Sequence, residues 1–131
     1  MAEPQFGDDG IDRTSFPPVE LIDMRQSQWR DVRLSFNAWD HLQTLCGGDT
    51  LDGYYLNGYG VEGLIRACRL RAGLEPDAEG IEYDSEGSAC FIHFERLEDA
   101  VETARLASDL LNDRGKIVAM IAVARAHGFE D

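Results

Sequence analysis

Apolar residues recur along this chain with two periods, and the switches between them divide it into elements. Over residues 29–36, Val32, Leu34 and Phe36 alternate with Asp31, Arg33 and Ser35, which predicts a strand with one buried face. Residues 19–24 give a shorter apolar run before it, and Gln26-Ser27-Gln28 supplies the hairpin connection. Asn37, followed by Ala38, Trp39 and Asp40, reads as a helix N-cap, since a side-chain oxygen at the cap and an acid at the third position satisfy free amides. Gly47-Gly48 ends this short helix, and Trp39, Leu42, Leu45 and Cys46 form its inward face. Residues 51–56 predict another strand and Asn57-Gly58-Tyr59-Gly60 a turn. The period then changes. Val61, Leu64, Ile65, Cys68 and Ala72 mark a helix over 61–72, with Arg66, Arg69 and Arg71 on its other side and Gly73 as its stop.

The second half repeats the two signals. Segments 80–84 and 88–95 flank Ser85-Glu86-Gly87, which is hairpin chemistry. In the second of them Cys90, Ile92 and Phe94 share one face and Ala89, Phe91 and His93 the other, so few polar positions that a central strand covered on both sides is expected. Leu97, Ala100, Val101, Ala104, Ala107 and Leu111 predict a helix over 97–112, with Glu98, Asp99, Glu102, Arg105 and Asp109 outside. Asp113-Arg114-Gly115 turns the chain into a last helix over 116–127. Strands early, helices late and no βαβ repeat imply an α+β fold, a mainly antiparallel sheet of four or five strands covered by three or four helices. Residues 1–16 carry Glu3, Asp8, Asp9 and Asp12 against Arg13 and read as a flexible acidic tail, closed by Phe16-Pro17-Pro18; residues 17–131 form a single domain.

Length agrees, since 131 residues suit one ordinary core. Charge adds more: 25 acids against 12 bases leave a formal net charge of -13, a field that repels phosphate backbones and anionic lipid. Neither nucleic acid nor a membrane is therefore an expected partner. The N-terminus shows no signal-peptide pattern, and no apolar run reaches the roughly 18 residues of a spanning helix. Cys46, Cys68 and Cys90, odd in number and set among apolar neighbours, read as reduced core thiols of a cytoplasmic protein. The charge is also uneven. Residues 32–74 balance 4 acids with 4 bases, whereas residues 75–131 hold 14 acids and 5 bases.

Catalytic constellations are scarce. His41, His93 and His127 fall in separate elements, without the close His or Cys spacing of a zinc site, so neither a metal nor a cofactor is expected. A Cys90–His93 nucleophile fails because strand residues three apart point to opposite faces. Neither Gly-x-Ser-x-Gly nor a phosphate-binding glycine loop is present. Asp84 and Glu86, with Glu62, offer carboxylates for acid–base work, but acids in turns and first helical turns have structural reasons to be there, and no enzyme emerges. The densest feature is Glu75, Asp77, Glu79, Glu82, Asp84 and Glu86, six acids within twelve residues with no base among them. Such a cluster either keeps a sheet edge from pairing with other molecules or docks a basic protein.

From about residue 53 onward the order of features resembles the immunity protein 51 family of bacterial polymorphic toxin systems. The resemblance rests on GYYLNGYGVEGL, residues 53–64, where a Gly-Tyr turn runs into a helix carrying Glu62, and on YDSEGSACFIHF, residues 83–94, an acid-glycine hairpin before an apolar strand. Gly60 and Val61 stand where members often carry an acid and a tryptophan. The resemblance implies a small cytoplasmic antidote without catalysis, whose partner is a cognate protein toxin; the acidity of this chain suits a toxin with a basic surface. Tyr54 and Tyr59 join the acids as contact candidates, since tyrosine combines area with a hydroxyl, and Gly58 and Gly60 would let a partner's backbone come close. The alternative is a non-catalytic ligand-binding or regulatory module around Tyr54, Tyr55 and Tyr59.

Overall fold

Strands with one apolar face and helices with one apolar stripe bury both by packing sheet on helix. The computed structural model, which describes residues 3 to 129, has that architecture. In chain order its elements are β1 (Ile11–Asp12), β2 (Glu20–Met24), β3 (Asp31–Phe36), α1 (Trp39–Cys46), β4 (Thr50–Leu51), β5 (Tyr54–Tyr55), α2 (Gly58–Arg71), β6 (Ile81–Tyr83), β7 (Cys90–Phe94), α3 (Leu97–Leu111) and α4 (Arg114–Ala126). The main sheet has five antiparallel strands in the order β1-β2-β3-β7-β6, and β4 and β5 form a separate small hairpin. The fold is α+β.

Register places the apolar positions in rows: Leu21 beside Leu34 beside Ile92, Val32 beside Phe94, and Phe36 beside Cys90. All are buried, and α2 and α3 lie across this face. Ala100, Ala104 and Ala107 keep the inward face of α3 small and buried. The last helix, α4, packs against α2 and α3, burying Ile117, Met120, Ile121 and Ala124.

Several expectations change. The stretch through residue 16, read as a flexible tail, contributes β1 to the sheet and buries Phe16 and Asp12. Asp12 sits in the row of Leu21, and its carboxylate accepts from the amides of Gln5 at 2.7 Å and of Thr14 and Ser15 at 3.0 Å. A polar sequence is thus anchored by one buried acid. The carbonyl of Pro17 also accepts from Ser108 Oγ at 2.6 Å and Asn112 Nδ2 at 2.8 Å, fastening the segment to α3.

The helix predicted to be capped by Asn37 starts one residue later, with Ala38 at the cap and no side-chain capping bond. Trp39 makes the local ties instead, edge-on to Phe36 at 5.0 Å between ring centroids and donating from Nε1 to Ser88 O at 2.7 Å. Residues 51–56 form the β4–β5 hairpin rather than one strand, bending at Asp52 and Gly53, both with positive φ. The predicted turn at 57–60 is the start of α2, where Asn57 caps by accepting from Gly60 N at 2.8 Å. Similarly Asp113 caps α4, accepting from Lys116 N at 3.2 Å. Finally, β7 lies second from an edge, and on the face expected to be covered Phe91 and His93 are only half-buried among the described residues.

Candidate functional site

The residues that alternate with the core positions of β3 and β7 populate the open face of the sheet. Antiparallel sheets commonly leave one face to water, and here register aligns Ile11, Ile22, Arg33, His93 and Glu82 across all five strands. Around Arg33 and His93 a polar network forms. His93 Nδ1 lies 3.2 Å from Asp31 Oδ2 and its Nε2 lies 3.6 Å from Asp84 Oδ2, while Arg33 Nε donates to Asp31 Oδ1 at 3.1 Å. The loop before β3 bends at Arg30, whose φ of 53° is left-handed. Beside it Trp29 is 58% exposed, with the Arg33 guanidinium over its ring at 5.3 Å. These groups, with Glu82 and Glu95, line an open depression of about 920 Å³.

The six clustered acids divide between the two sides of β6. Alternation sends Tyr83 inward and Glu82 and Asp84 to the open face. On the inner side Arg66 lies 3.6 Å from Glu62 and 3.3 Å from Asp77, and stacks 4.1 Å from the Tyr83 ring centroid. Tyr83 donates to the Pro76 carbonyl, and burial pushes its phenol up to about 12. Glu62 and Asp77 therefore tie α2 to the approach of β6, and Glu62 does not join Asp84 and Glu86 as an acid pair. Glu75 is exposed, its carbonyl accepting from Arg69 Nε at 3.1 Å, while the buried Arg69 also donates to Thr103 at 2.7 Å. Glu79, Glu82 and Glu86 are exposed and make no ion pair among the described residues.

The tyrosines separate as well. Tyr54 is only 1% exposed and donates from its hydroxyl to Gly60 O at 2.6 Å, so it belongs to the core rather than to a contact surface. Tyr59 is 40% exposed. The glycines expected to admit a partner's backbone admit the protein's own. A Cβ on Gly58 would stand 1.7 Å from Glu86 O and 2.4 Å from Ala89 O, and one on Gly60 would stand 1.9 Å from Tyr55 O. The start of α2 is thereby pressed against the β6–β7 hairpin, with Gly58 N donating to Gly87 O at 3.1 Å.

The sequence does not mark Trp29, Asp31, Arg33 or Glu95 as site residues, and it offers His93 only as a metal ligand or a partner of Cys90, readings that its spacing disfavours. The alternation Asp31-Arg33-Ser35 signals a solvated face, but only the pairing of β3 with β7 brings His93 to it. Cys90, on the other face of that strand, is buried, and burial pushes its thiol up to about 12; Cys68 is shifted likewise to about 12, and burial raises Cys46 too. The depression is lined by no serine, threonine, cysteine or lysine, so His93 has no hydroxyl or thiol there to activate. Among the described residues no group of three or more His, Cys, Asp or Glu is placed to hold a metal ion, and no helix is long and apolar enough to cross a membrane. Comparison of the chain with protein-family models, with curated proteins and with solved structures finds no match in any of the three.

Proposed function

We propose that this protein is a non-catalytic antidote that binds and neutralises a cognate bacterial toxin through an acidic surface. The observation that carries the reading is the rim of the sheet at β6, where, among the described residues, Glu79, Glu82 and Glu86 stand exposed with no ion-pair partner and the Asp84 carboxylate lies 3.6 Å from His93. Like charges held together repel one another, and a basic partner relieves that repulsion on binding. The resemblance of residues 53–64 and 83–94 to the immunity family supplies the biological role. Its site of action on this reading is the cytoplasm, and its partner is a protein with a basic surface rather than nucleic acid or a membrane. A basic groove that handles nucleic acid is a natural target, since an acidic protein occupies it in place of phosphate. The alternative, a ligand-binding module around Tyr54, Tyr55 and Tyr59, has less support because Tyr54 is interior.

The test begins with the neighbouring gene. A large secreted protein with a variable C-terminal domain is expected beside this one. Expressing that domain alone should arrest growth, and co-expressing this chain should restore it, with a stable complex on size-exclusion chromatography. Arrest that persists with both proteins present and no complex formed would contradict the reading.

A further inference from the structure

The open face of the sheet carries more than acidity. Trp29 holds a large apolar ring in water, and one of its faces is already stacked by Arg33. The charge of that guanidinium is met by Asp31 at 3.1 Å, so the stack is electrically balanced from within. Asp31 is further engaged by His93. The same depression is lined by the exposed carboxylates of Glu82, Asp84 and Glu95 and by the exposed guanidinium of Arg30; among the described residues Glu82 and Glu95 make no ion pair, and Asp84 lies 3.6 Å from His93. Four acids, Asp31, Glu82, Asp84 and Glu95, thus face two arginines, Arg30 and Arg33, and an exposed indole beside that excess of carboxylates is complementary to a flat cation: the ring quadrupole attracts a guanidinium over its face, and carboxylates accept its forked donors.

Resting on the function proposed above, we infer that this depression receives an arginine side chain of the basic partner, stacked on the indole of Trp29 and bonded to the carboxylates of Glu82 and Glu95. The Trp29–Arg33 stack then serves as a template, holding the indole out from the sheet. Arginine fits better than lysine because a planar group both stacks and forks, whereas an ammonium is a strongly hydrated point charge. The binding surface thereby extends beyond the rim of β6 onto the sheet face and gains an aromatic anchor. Trp and Arg are the residue types that dominate interface energetics.

The test uses an amidated hexa-arginine peptide, its citrulline counterpart and hexa-lysine, titrated into the ¹⁵N-labelled protein. Hexa-arginine should shift the Trp29 indole resonance and the amides of 29–33, 80–84 and 91–95, leaving the Trp39 indole and the outer face of α3 unmoved. Citrulline, flat but uncharged, should leave them all in place, and hexa-lysine should bind more weakly. Trp29→Ala should weaken hexa-arginine by about three- to tenfold, with Trp29→Phe intermediate. Because Trp29 is exposed, these variants should fold as the parent does, which amide spectra will verify. Shifts confined to Glu79 and Glu86, or an affinity unchanged in Trp29→Ala, would overturn the arginine site while leaving the acidic-surface reading in place. Absence of any shift with either cationic peptide would count against both.

Discussion

At the scale of single residues, three interior groups make strong demands on their surroundings. Gly58 is fixed by backbone on both sides: its missing Cβ leaves room for the carbonyls of Glu86 and Ala89, which a flexible side chain cannot replace. Gly58→Ala should therefore lower stability by about 2 kcal/mol or more, read as a shift in the urea midpoint, by prising α2 from the hairpin. Asp12 is a different case. Burial pushes its carboxyl up, but the Ser15 side chain and the amides of Gln5, Thr14 and Ser15 outweigh this and hold it below the usual range. A depressed folded value means the stabilisation is complete above the unfolded value of about 3.9 and is lost as pH falls through the folded one. Asp12→Ala should cost about 2–3 kcal/mol at neutral pH, and the variant's acid-unfolding curve should lose part of its steepness below about pH 4. The thiols follow the same logic of burial: Cys90 should resist alkylation until the protein unfolds, as thiol-labelling kinetics followed by mass spectrometry will show.

At the scale of elements, ends and faces divide what sequence could and could not announce. The interiors of α2, α3 and α4 and the pairing of β2 with β3 and of β6 with β7 were legible, because period and turn chemistry act locally. Asn57-Gly58-Tyr59-Gly60 reads as a turn yet starts a helix for a physical reason: its glycines have turn propensity, but Gly58 is needed for close packing against Glu86 and Ala89, remote in sequence, and Gly60 for packing against Tyr55. Asn57→Ala should cost about 1 kcal/mol by removing the cap of α2, measurable by thermal denaturation. The strand β1 was hidden because Asp12, polar by type, fills a core-side position that only its three amide bonds make tolerable. Likewise, the apolar Ala89 and Phe91 beside His93 predict a strand covered on both faces, whereas Phe91 and His93 are half-buried on an open one. The candidate site suffered most from this. Its acids were visible as a run, but their division between Arg66 on one side of β6 and the open face on the other depends on strand alternation and on where α2 docks.

At the scale of the whole molecule, the net charge of -13 is distributed so that the helix side neutralises part of its share while the rim of β6 does not. Charges that repel in the free protein contribute little to folding, so neutralising them should leave the melting temperature unchanged or raise it. On the proposed function their effect belongs to the encounter with a basic partner, where steering is long-ranged at low salt and short-ranged at physiological salt: the screening length falls from about 30 Å at 0.01 M to about 8 Å at 0.15 M. A steered complex associates at roughly 10⁸–10⁹ M⁻¹s⁻¹ at low salt, against about 10⁵–10⁶ M⁻¹s⁻¹ without steering. The decisive measurement is stopped-flow association with the cognate toxin domain that the proposed function expects beside this gene, at those two ionic strengths, for the parent and for the combined variant Glu79→Gln, Glu82→Gln, Asp84→Asn and Glu86→Gln. Binding through the acidic rim predicts at least about tenfold slower association of the variant at low salt and a flattened salt dependence. An unchanged rate and an unchanged salt slope would place the binding surface elsewhere and leave the rim of β6 as a solvated sheet edge.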